Sequence, residues 1–286
     1  MASRKTAHPW AFRTRFRREA FGWKSQPAIT RVREAVAEIK KVSKSDPLLA
    51  AEGAVLFLER VSPALAHVDS SSGAIGTVVN RAIEELVAVI AAAPADGRTR
   101  EGWLERLYEA RAADQIPYIE LLADFWGELC VTKKIASRWA DREIGITRHA
   151  LSRDLQMRGH YHGTSACLAA LHRAERYAEI VDLLEVETFW HYRRWAVKAL
   201  AAMGKKSEAL RLAESSRGPW THEGDVARLC EEILTSFGAL RDRQVAVACE
   251  LLHRGTRRPS AARSAASLGS SLFPRSSPRV DRPSIA

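Results

Sequence analysis

Two histidines lie two residues apart in a stretch bounded by glycines, RGHYHGT at residues 158–164. Imidazole is the most common metal ligand among protein side chains, and it carries protons near neutral pH. His160 and His162 have no Asp, Glu or Cys beside them at metal-ligand spacing, so the pair alone is a weak signal. We favour a loop in which they hydrogen-bond a helix end, with Thr164 capping the next helix. Three other histidines could approach the pair in space: His149, His172 and His191.

A row of carboxylates offers a second candidate site. Glu120, Asp124 and Glu128 recur every four residues in segment 117–130, whose apolar pattern predicts a helix, so they would share one face. Three carboxylates on one face could bind a hard cation, which prefers oxygen ligands. Such a row more often faces solvent or pairs with a basic helix, and we favour that interpretation. No Ser-His-Asp or Cys-His arrangement can be assigned, so we predict no catalytic residues, metal ligands or cofactor.

The N-terminal arm, residues 1–24, combines arginines with five aromatic residues. We predict a helix that begins at His8-Pro9 and carries an aromatic stripe on one side, flanked by arginines. The stripe is formed by Phe12, Phe16, Ala20 and Trp23, and the flanking arginines are Arg13 and Arg17.

Four residues of the arm are therefore candidate contacts for nucleic acid or an anionic membrane surface: Arg13, Phe16, Arg17 and Trp23. The alternative, which we favour, is that the rings dock on the first helical hairpin while arginine stems cover apolar surface. An organelle transit peptide is similarly rich in arginine and poor in acids, but the number of aromatic residues argues against one.

The net charge of +10 is concentrated at the two ends of the chain. Residues 1–24 and residues 241–286 each carry a net charge of +6, so the body between them carries −2. The basic composition therefore belongs to the ends and does not by itself indicate a nucleic-acid-binding fold.

One pattern occurs twice between residues 163 and 217. Cys167–Glu185 and Ala196–Glu214 align at an offset of 29 residues. Each copy contains an apolar-periodic helix, a short polar break and a second such helix, which is typical of hairpins that must stack to bury their apolar faces. Gly204–Glu214 resembles the core of a tetratricopeptide repeat, whereas the first copy has Glu175 in place of the glycine. A third copy is expected to begin at Asp225.

The rest of the body is helical in its periodicity and shows no convincing strand. We therefore predict an all-α fold, an array of antiparallel helical hairpins (an α-solenoid) that is tetratricopeptide-like toward its C-terminal end. Pro94–Gly97 is the clearest break, so we expect N-terminal hairpins over 25–95 and a helical-repeat array over 96–240. Six helices are predicted before the duplicated stretch, at 27–42, 48–61, 74–93, 99–112, 117–130 and 133–149.

Several segments together resemble a family of uncharacterised bacterial helical proteins. They are HPWAFRTRFRREAFGWKSQPAITRVREAVAEIKKV, DSSSGAIGTVVN, DQIPYIELLADFWGELC and RGHYHGTSACLAAL. The resemblance covers roughly residues 5–240 and implies a helical fold and a bacterial source. It implies no activity, ligand or catalytic residue.

Residues 241–286 are rich in Arg, Ser, Ala and Pro, and we expect most of them to be disordered. Lysine is absent after Lys206, and the third copy of the duplicated pattern breaks off after Gly238. We therefore interpret this tail as the frameshifted or truncated end of a longer helical protein. A basic tail for nucleic acid is the alternative.

These patterns favour a non-enzymatic helical-repeat scaffold that binds a protein or peptide partner. Binding of nucleic acid or an anionic membrane through the arm and tail is the second hypothesis, and a metal-dependent enzyme is the third. Four scattered cysteines without a C-x-x-C pair, and no apolar leader at the N-terminus, indicate a cytoplasmic protein. The longest apolar run, Leu86–Ala93, is too short to span a membrane.

Overall fold

The computed structural model describes residues 8–154, 156–218 and 223–236, and within these ranges every regular element is a helix. The prediction of an all-α fold is confirmed. None of the described helices is both long and apolar enough to cross a membrane. The predicted disordered tail, residues 241–286, lies outside the described residues.

The first third of the chain forms four α-helices whose apolar faces pack against one another. They are α1 (Ala11–Arg15), α2 (Ser25–Ser43), α3 (Pro47–Ala64) and α4 (Ala74–Ala92). Helix α3 begins where the Asp46 carboxylate accepts the Leu49 N–H at 2.9 Å. It continues through Ser62-Pro63, where the sequence predicted its end, because a proline in the last turn removes only one helical hydrogen bond.

The middle of the chain forms α5 (Gly97–Ala112), a 3₁₀ helix (Glu120–Phe125), α6 (Trp126–Cys130) and α7 (Lys133–Ala150). The prediction of one α-helix over 117–130 is wrong in its first half. The Asp114 carboxylate accepts the Ile119 N–H at 2.8 Å and the Ser62 hydroxyl, which fixes the chain in a turn before the 3₁₀ helix. The predicted acidic face of Glu120, Asp124 and Glu128 on a single α-helix therefore does not exist.

The N-terminal arm folds onto α3. Its predicted helix ends at Arg15, eight residues before Trp23, so the predicted stripe is broken. Phe12 and Phe16 are buried against the Phe57 ring, with centroid distances of 5.7 and 5.1 Å. Trp10 lies over Gly53, where an added Cβ would come within 2.3 Å of the indole ring. Docking of the aromatic rings on the first hairpin, the interpretation that we favoured, is confirmed for these three rings.

One continuous core runs from Trp10 to Ala199, and it crosses the predicted boundary at Pro94–Gly97 without interruption. Arg100 joins the helices on the two sides of this boundary. Its buried guanidinium donates to the carbonyls of Ile90, Ala93 and Leu129 at 3.1, 2.8 and 3.3 Å. Residues 25–95 and the described residues that follow them therefore belong to one compact unit. They do not have separate cores.

The duplicated stretch forms two helical hairpins. The helices are α8 (Thr164–Arg173), α9 (Tyr177–Leu183), α10 (Trp190–Ala202) and α11 (Lys206–Ser215), followed by α12 (Glu223–Ser236). The two turns are equivalent: the Arg176 N–H bonds the Leu171 carbonyl at 3.0 Å, and the Lys205 N–H bonds the Leu200 carbonyl at 2.9 Å. The second pair lies 29 residues after the first, which is the offset between the two copies of the pattern.

Each turn contains one residue in the left-handed conformation, Glu175 with φ 62° and Gly204 with φ 78°. Glycine adopts this conformation without strain, whereas other residues cost roughly 1–2 kcal/mol. We expect Glu175→Gly to stabilise the protein by about 1 kcal/mol and Gly204→Ala to destabilise it by a similar amount. Both values can be measured by urea denaturation followed by circular dichroism.

Glu175 also pairs with Lys133 on the surface. We would therefore make Glu175→Gly in a Lys133→Ala background, so that loss of the ion pair does not offset the gain. If the variant were no more stable than this background, the left-handed turn would not be a source of strain.

Candidate functional site

A cavity of about 590 Å³ lies where the 3₁₀ helix, α8 and the start of α10 meet, and we call it the His191 cavity. Residue 80 of α4 and the loop before α8 complete its wall. It is lined by Asn80, Pro117, Glu120, Leu121, Ala123, Asp124, His160, His162, Ser165, Phe189, His191 and Tyr192. Three of the predicted histidines and two of the three predicted carboxylates therefore meet at one place in the fold.

The loop that carries His160 and His162 is held by the tyrosine between them. The Tyr161 hydroxyl donates to the Glu143 carboxylate, which is 3% exposed on α7. Burial raises the pKa of Tyr161 well above its ordinary value, so the phenol remains a donor. An added Cβ at Gly163 would lie 2.3 Å from the Tyr161 ring. The loop thus directs the half-buried Tyr161 side chain toward Glu143 and leaves both histidines exposed at the cavity.

Arg111 stands beside this buried carboxylate. Its guanidinium lies 5.8 Å from the Tyr108 ring and 5.7 Å from the Trp126 ring, and the side chain is buried. Burial lowers the pKa of Arg111, while the nearby Tyr108 and Glu143 oppose that shift. The aromatic faces and the Glu143 charge offset only part of the cost of burying the cation, because none of its guanidinium nitrogens has a hydrogen-bond partner among the described residues.

His191 lies between a hydroxyl and a carboxylate. Its Nε2 atom is 2.9 Å from Ser165 Oγ and 3.5 Å from Asp124 Oδ1. In a catalytic relay the carboxylate holds the ring nitrogen that does not face the nucleophile. Here one nitrogen faces both groups, and the Arg194 guanidinium lies 2.6 Å from Asp124 Oδ2. The arrangement anchors the His191 ring, and Asp124 lies on the same ring nitrogen as Ser165, which is not the position of the carboxylate in a catalytic relay.

A second cavity of about 520 Å³ adjoins the first, and we call it the Lys198 groove. It runs between α10 and α12 and shares Phe189 and His191 with the His191 cavity. Its charged lining residues are Glu84, Arg194, Lys198, Asp225, Arg228 and Glu232. Burial lowers the pKa of Lys198, whose ammonium lies 4.8 Å from the Trp195 ring.

Phe189 forms the boundary between the two cavities. It is the residue immediately before α10, and its ring is 54% exposed. The His191 and Tyr192 rings lie 5.9 and 5.6 Å from it. Contacts with two neighbouring rings restrict the motion of the exposed Phe189 ring. A ligand that covered this apolar ring would therefore cost little additional side-chain entropy. Sequence reasoning missed Phe189, although the run of aromatic residues at 189–195 was a usable signal.

The four arm residues proposed as binding contacts do not share one environment. Phe16 is 1% exposed and belongs to the core, which corrects its assignment as a binding residue. Arg13, Arg17 and Trp23 are exposed. They lie on the arm, and none of them lines the His191 cavity or the Lys198 groove.

The metal hypothesis needs at least three converging donors. Within residues 8–154, 156–218 and 223–236, no group of three His, Cys, Asp or Glu side chains could hold a metal ion. Glu128 does not line the His191 cavity, and Asp124 is paired with Arg194. The described part of the chain thus brings no such donor set together.

Comparison of the chain with family models, with curated proteins and with solved structures finds no match in any of the three.

Three histidines that lose part of their hydration in the folded chain make stability depend on pH. Burial lowers the pKa of His162, His172 and His191, because the protonated ring loses hydration. Each then binds fewer protons in the folded state than in the unfolded state, where the pKa is about 6.5. Their contribution is present above that value and is lost as the pH falls. We expect the free energy of unfolding to be lower at pH 5.5 than at pH 7.5.

His172 offers a test, since its ring packs 5.2 Å from Tyr177 and 5.7 Å from Trp195. We expect His172→Gln to reduce the dependence of unfolding free energy on pH, measured by urea denaturation at both values. His149→Gln is the matched control, because His149 is exposed. An unchanged dependence in the His172 variant would contradict this explanation.

Proposed function

We propose that this protein is a non-enzymatic helical scaffold that binds an extended peptide segment of a partner protein across Phe189. The observation that supports the proposal is the pair of adjoining cavities on either side of this ring. Two cavities of about 520 and 590 Å³ with a shared wall suit a ligand that is longer than either one. A peptide laid over Phe189 would place side chains in both.

The chemistry of the lining also favours a peptide. The Lys198 groove presents charges of both signs, which suits a backbone and mixed side chains better than a polyanion. In the His191 cavity Glu120 is exposed and makes no side-chain ion pair or hydrogen bond with any described residue. It could accept an N–H or a cationic side chain of the ligand. Phe189 would supply the aromatic anchor that interfaces commonly use.

Two finer features belong to this proposal. The paired hairpins α8–α9 and α10–α11, with equivalent turns, support a tetratricopeptide-like arrangement at this end of the chain.

The thiols of Cys130 and Cys167 are free and buried, and burial raises the pKa of each to about 12. Unreactive thiols are compatible with the cytoplasmic location predicted from the sequence.

A random peptide library displayed on phage tests the proposal directly. Selected peptides would be synthesised and titrated against the protein by calorimetry. We expect Phe189→Ala to weaken their binding by about tenfold or more, because the ring would be fully covered in the complex. We expect Glu120→Gln to weaken those peptides that carry a basic residue.

Ile146→Ala is the matched control, since Ile146 is as exposed as Phe189, at 54%, and lines neither cavity. Selected peptides that bind the Phe189 variant with unchanged affinity would contradict the proposal. So would a selection that yields no peptide binding above background. A DNA titration that shows high affinity and a steep loss with salt would favour the nucleic-acid hypothesis instead.

A further inference from the structure

Trp23 is exposed to an unusual degree for a tryptophan. Its relative exposure is 73%, whereas Trp10, Phe12 and Phe16 of the same arm are at most 6% exposed. Phe21 is half-buried. Trp23 is therefore the one exposed aromatic ring of residues 8–24. Packing within the described fold does not account for a tryptophan at this position.

The segment that carries Trp23 is fixed to the fold at several points. The Trp23 carbonyl accepts the Asp69 N–H at 2.9 Å, and the Glu19 N–H donates to the Pro63 carbonyl at 2.9 Å. The Phe21 ring packs 5.2 Å from Phe16, which lies in the core. The indole is therefore presented on an anchored loop.

Three basic residues of the same arm have no partner among the residues that the structure describes. Arg13, Arg17 and Lys24 are exposed, and their side chains make no hydrogen bond or ion pair with any described residue. Glu19 is the one acidic residue of the arm, and its carboxylate lies 3.4 Å from both Arg18 and His67. The charge of the arm surface is thus strongly positive and available to a ligand.

We propose that Arg13, Arg17, Trp23 and Lys24 form a docking surface for an anionic lipid bilayer. An indole combines an apolar body with an N–H donor, and tryptophan is enriched at the level of lipid headgroups for this reason. Basic side chains beside it are attracted to the negative surface potential of anionic lipids. The combination of one anchored indole and three unpaired cations matches this chemistry.

A single-stranded nucleic acid fits the same surface less well. Proteins that bind such strands stack successive bases on several exposed rings along a basic groove. In this arm the other rings are used to fix the loop to α3, and only one remains exposed. The surface is therefore suited to insertion of one ring into an interface and not to stacking along a strand.

Binding of this kind is reversible and sensitive to salt. One indole and a few cations fall short of the two signals that stable anchoring requires, so the protein would exchange between membrane and solution. The surface is separate from the peptide groove proposed above, and neither depends on the other.

Sedimentation of the full chain with lipid vesicles tests the proposal. Vesicles of phosphatidylcholine with phosphatidylserine are compared with vesicles of phosphatidylcholine alone. We expect binding to the anionic vesicles only, and a loss of affinity as salt is raised. Trp23→Ala should weaken binding roughly tenfold. A triple variant removes the three cations by Arg13→Ser, Arg17→Ser and Lys24→Ser. Its affinity for the anionic vesicles should fall by about fivefold for each charge removed.

A second triple variant controls for net charge. It combines three substitutions of exposed cations on other helices: Lys41→Ser, Arg98→Ser and Lys134→Ser. The arm and residues 241–286 remain unchanged. We expect this control to retain most of the binding, and circular dichroism verifies that every variant is folded. Phe189→Ala should leave vesicle binding intact, so failure here is distinguishable from failure of the peptide proposal.

Three results would overturn the proposal. They are equal binding to neutral vesicles, equal losses in the two triple variants, and unchanged binding after Trp23→Ala. Binding to single-stranded nucleic acid that requires the same four residues, without binding to vesicles, would assign the surface to nucleic acid instead.

Discussion

Arg100→Met is expected to lower the free energy of unfolding by about 3 kcal/mol or more. Arg100 is 4% exposed and donates to three carbonyls, those of Ile90, Ala93 and Leu129. Methionine would fill much of the volume but remove three hydrogen bonds from a charged donor, each of which contributes about 1.5–3 kcal/mol. The Ile90 and Ala93 carbonyls would keep the bonds that they accept from the N–H groups of Ala93 and Ala95, at 3.4 and 2.8 Å. Relief of the buried charge offsets part of that cost, since burial already lowers the Arg100 pKa.

Urea denaturation followed by circular dichroism measures this effect. Arg98→Met is the control on the same helix, because Arg98 is exposed and its replacement should change stability by less than about 0.5 kcal/mol. Arg100→Lys should recover only part of the loss, since an ammonium group cannot reach both helix ends as a planar guanidinium does. A loss below about 1 kcal/mol for Arg100→Met would show that the three hydrogen bonds do not stabilise the junction.

Gly127→Ala is expected to destabilise the protein by about 3 kcal/mol. A Cβ at this position would lie 2.4 Å from the Ala169 carbonyl oxygen and 3.0 Å from Arg173 Cβ. The first of these atoms belongs to the backbone of α8, so α6 and α8 would have to separate. Separation would also disturb the neighbouring Trp126, which is 1% exposed.

Gly145→Ala provides the control with the opposite sign. Gly145 lies on the exposed face of α7, and an added Cβ meets no atom within 4 Å. We expect this variant to be more stable by about 0.5–1 kcal/mol, because alanine loses less backbone entropy in a helix. If Gly127→Ala were stabilised to the same extent, the close approach of α6 and α8 would not exist in solution.

The regular helices could be predicted from the sequence, because apolar residues at helical spacing identify the face that must be buried. Helices α2, α4, α5 and α7 lie within a few residues of their predicted bounds. The failures occur where distant residues decide the backbone. The turn before the 3₁₀ helix depends on Asp114 and Ser62, which are 52 residues apart. Helix α1 ends just before Phe16, whose ring packs against Phe57, 41 residues later in the chain.

The candidate site was predictable only in part. The exposed loop containing His160 and His162 followed from its glycines and local polarity, and those signals lie within seven residues. The contact between Asp124 and His191 joins residues 67 positions apart, so it depends on how the hairpins pack. The left-handed Glu175 shows the same limit, because only the equivalence with Gly204 reveals the turn that it must adopt.

Helix α8 has a consequence for synthesis of the chain. Residues 164–171 are all buried, and α8 packs against the 3₁₀ helix, α6 and α7, all of which leave the ribosome earlier. These elements expose the apolar surfaces that α8 covers until it emerges. For the 43 residues from Val131 to Arg173 this interval lasts roughly 2 to 9 s at ordinary rates of translation. A nascent chain paused in that interval would present a binding site for chaperones that the finished protein no longer has.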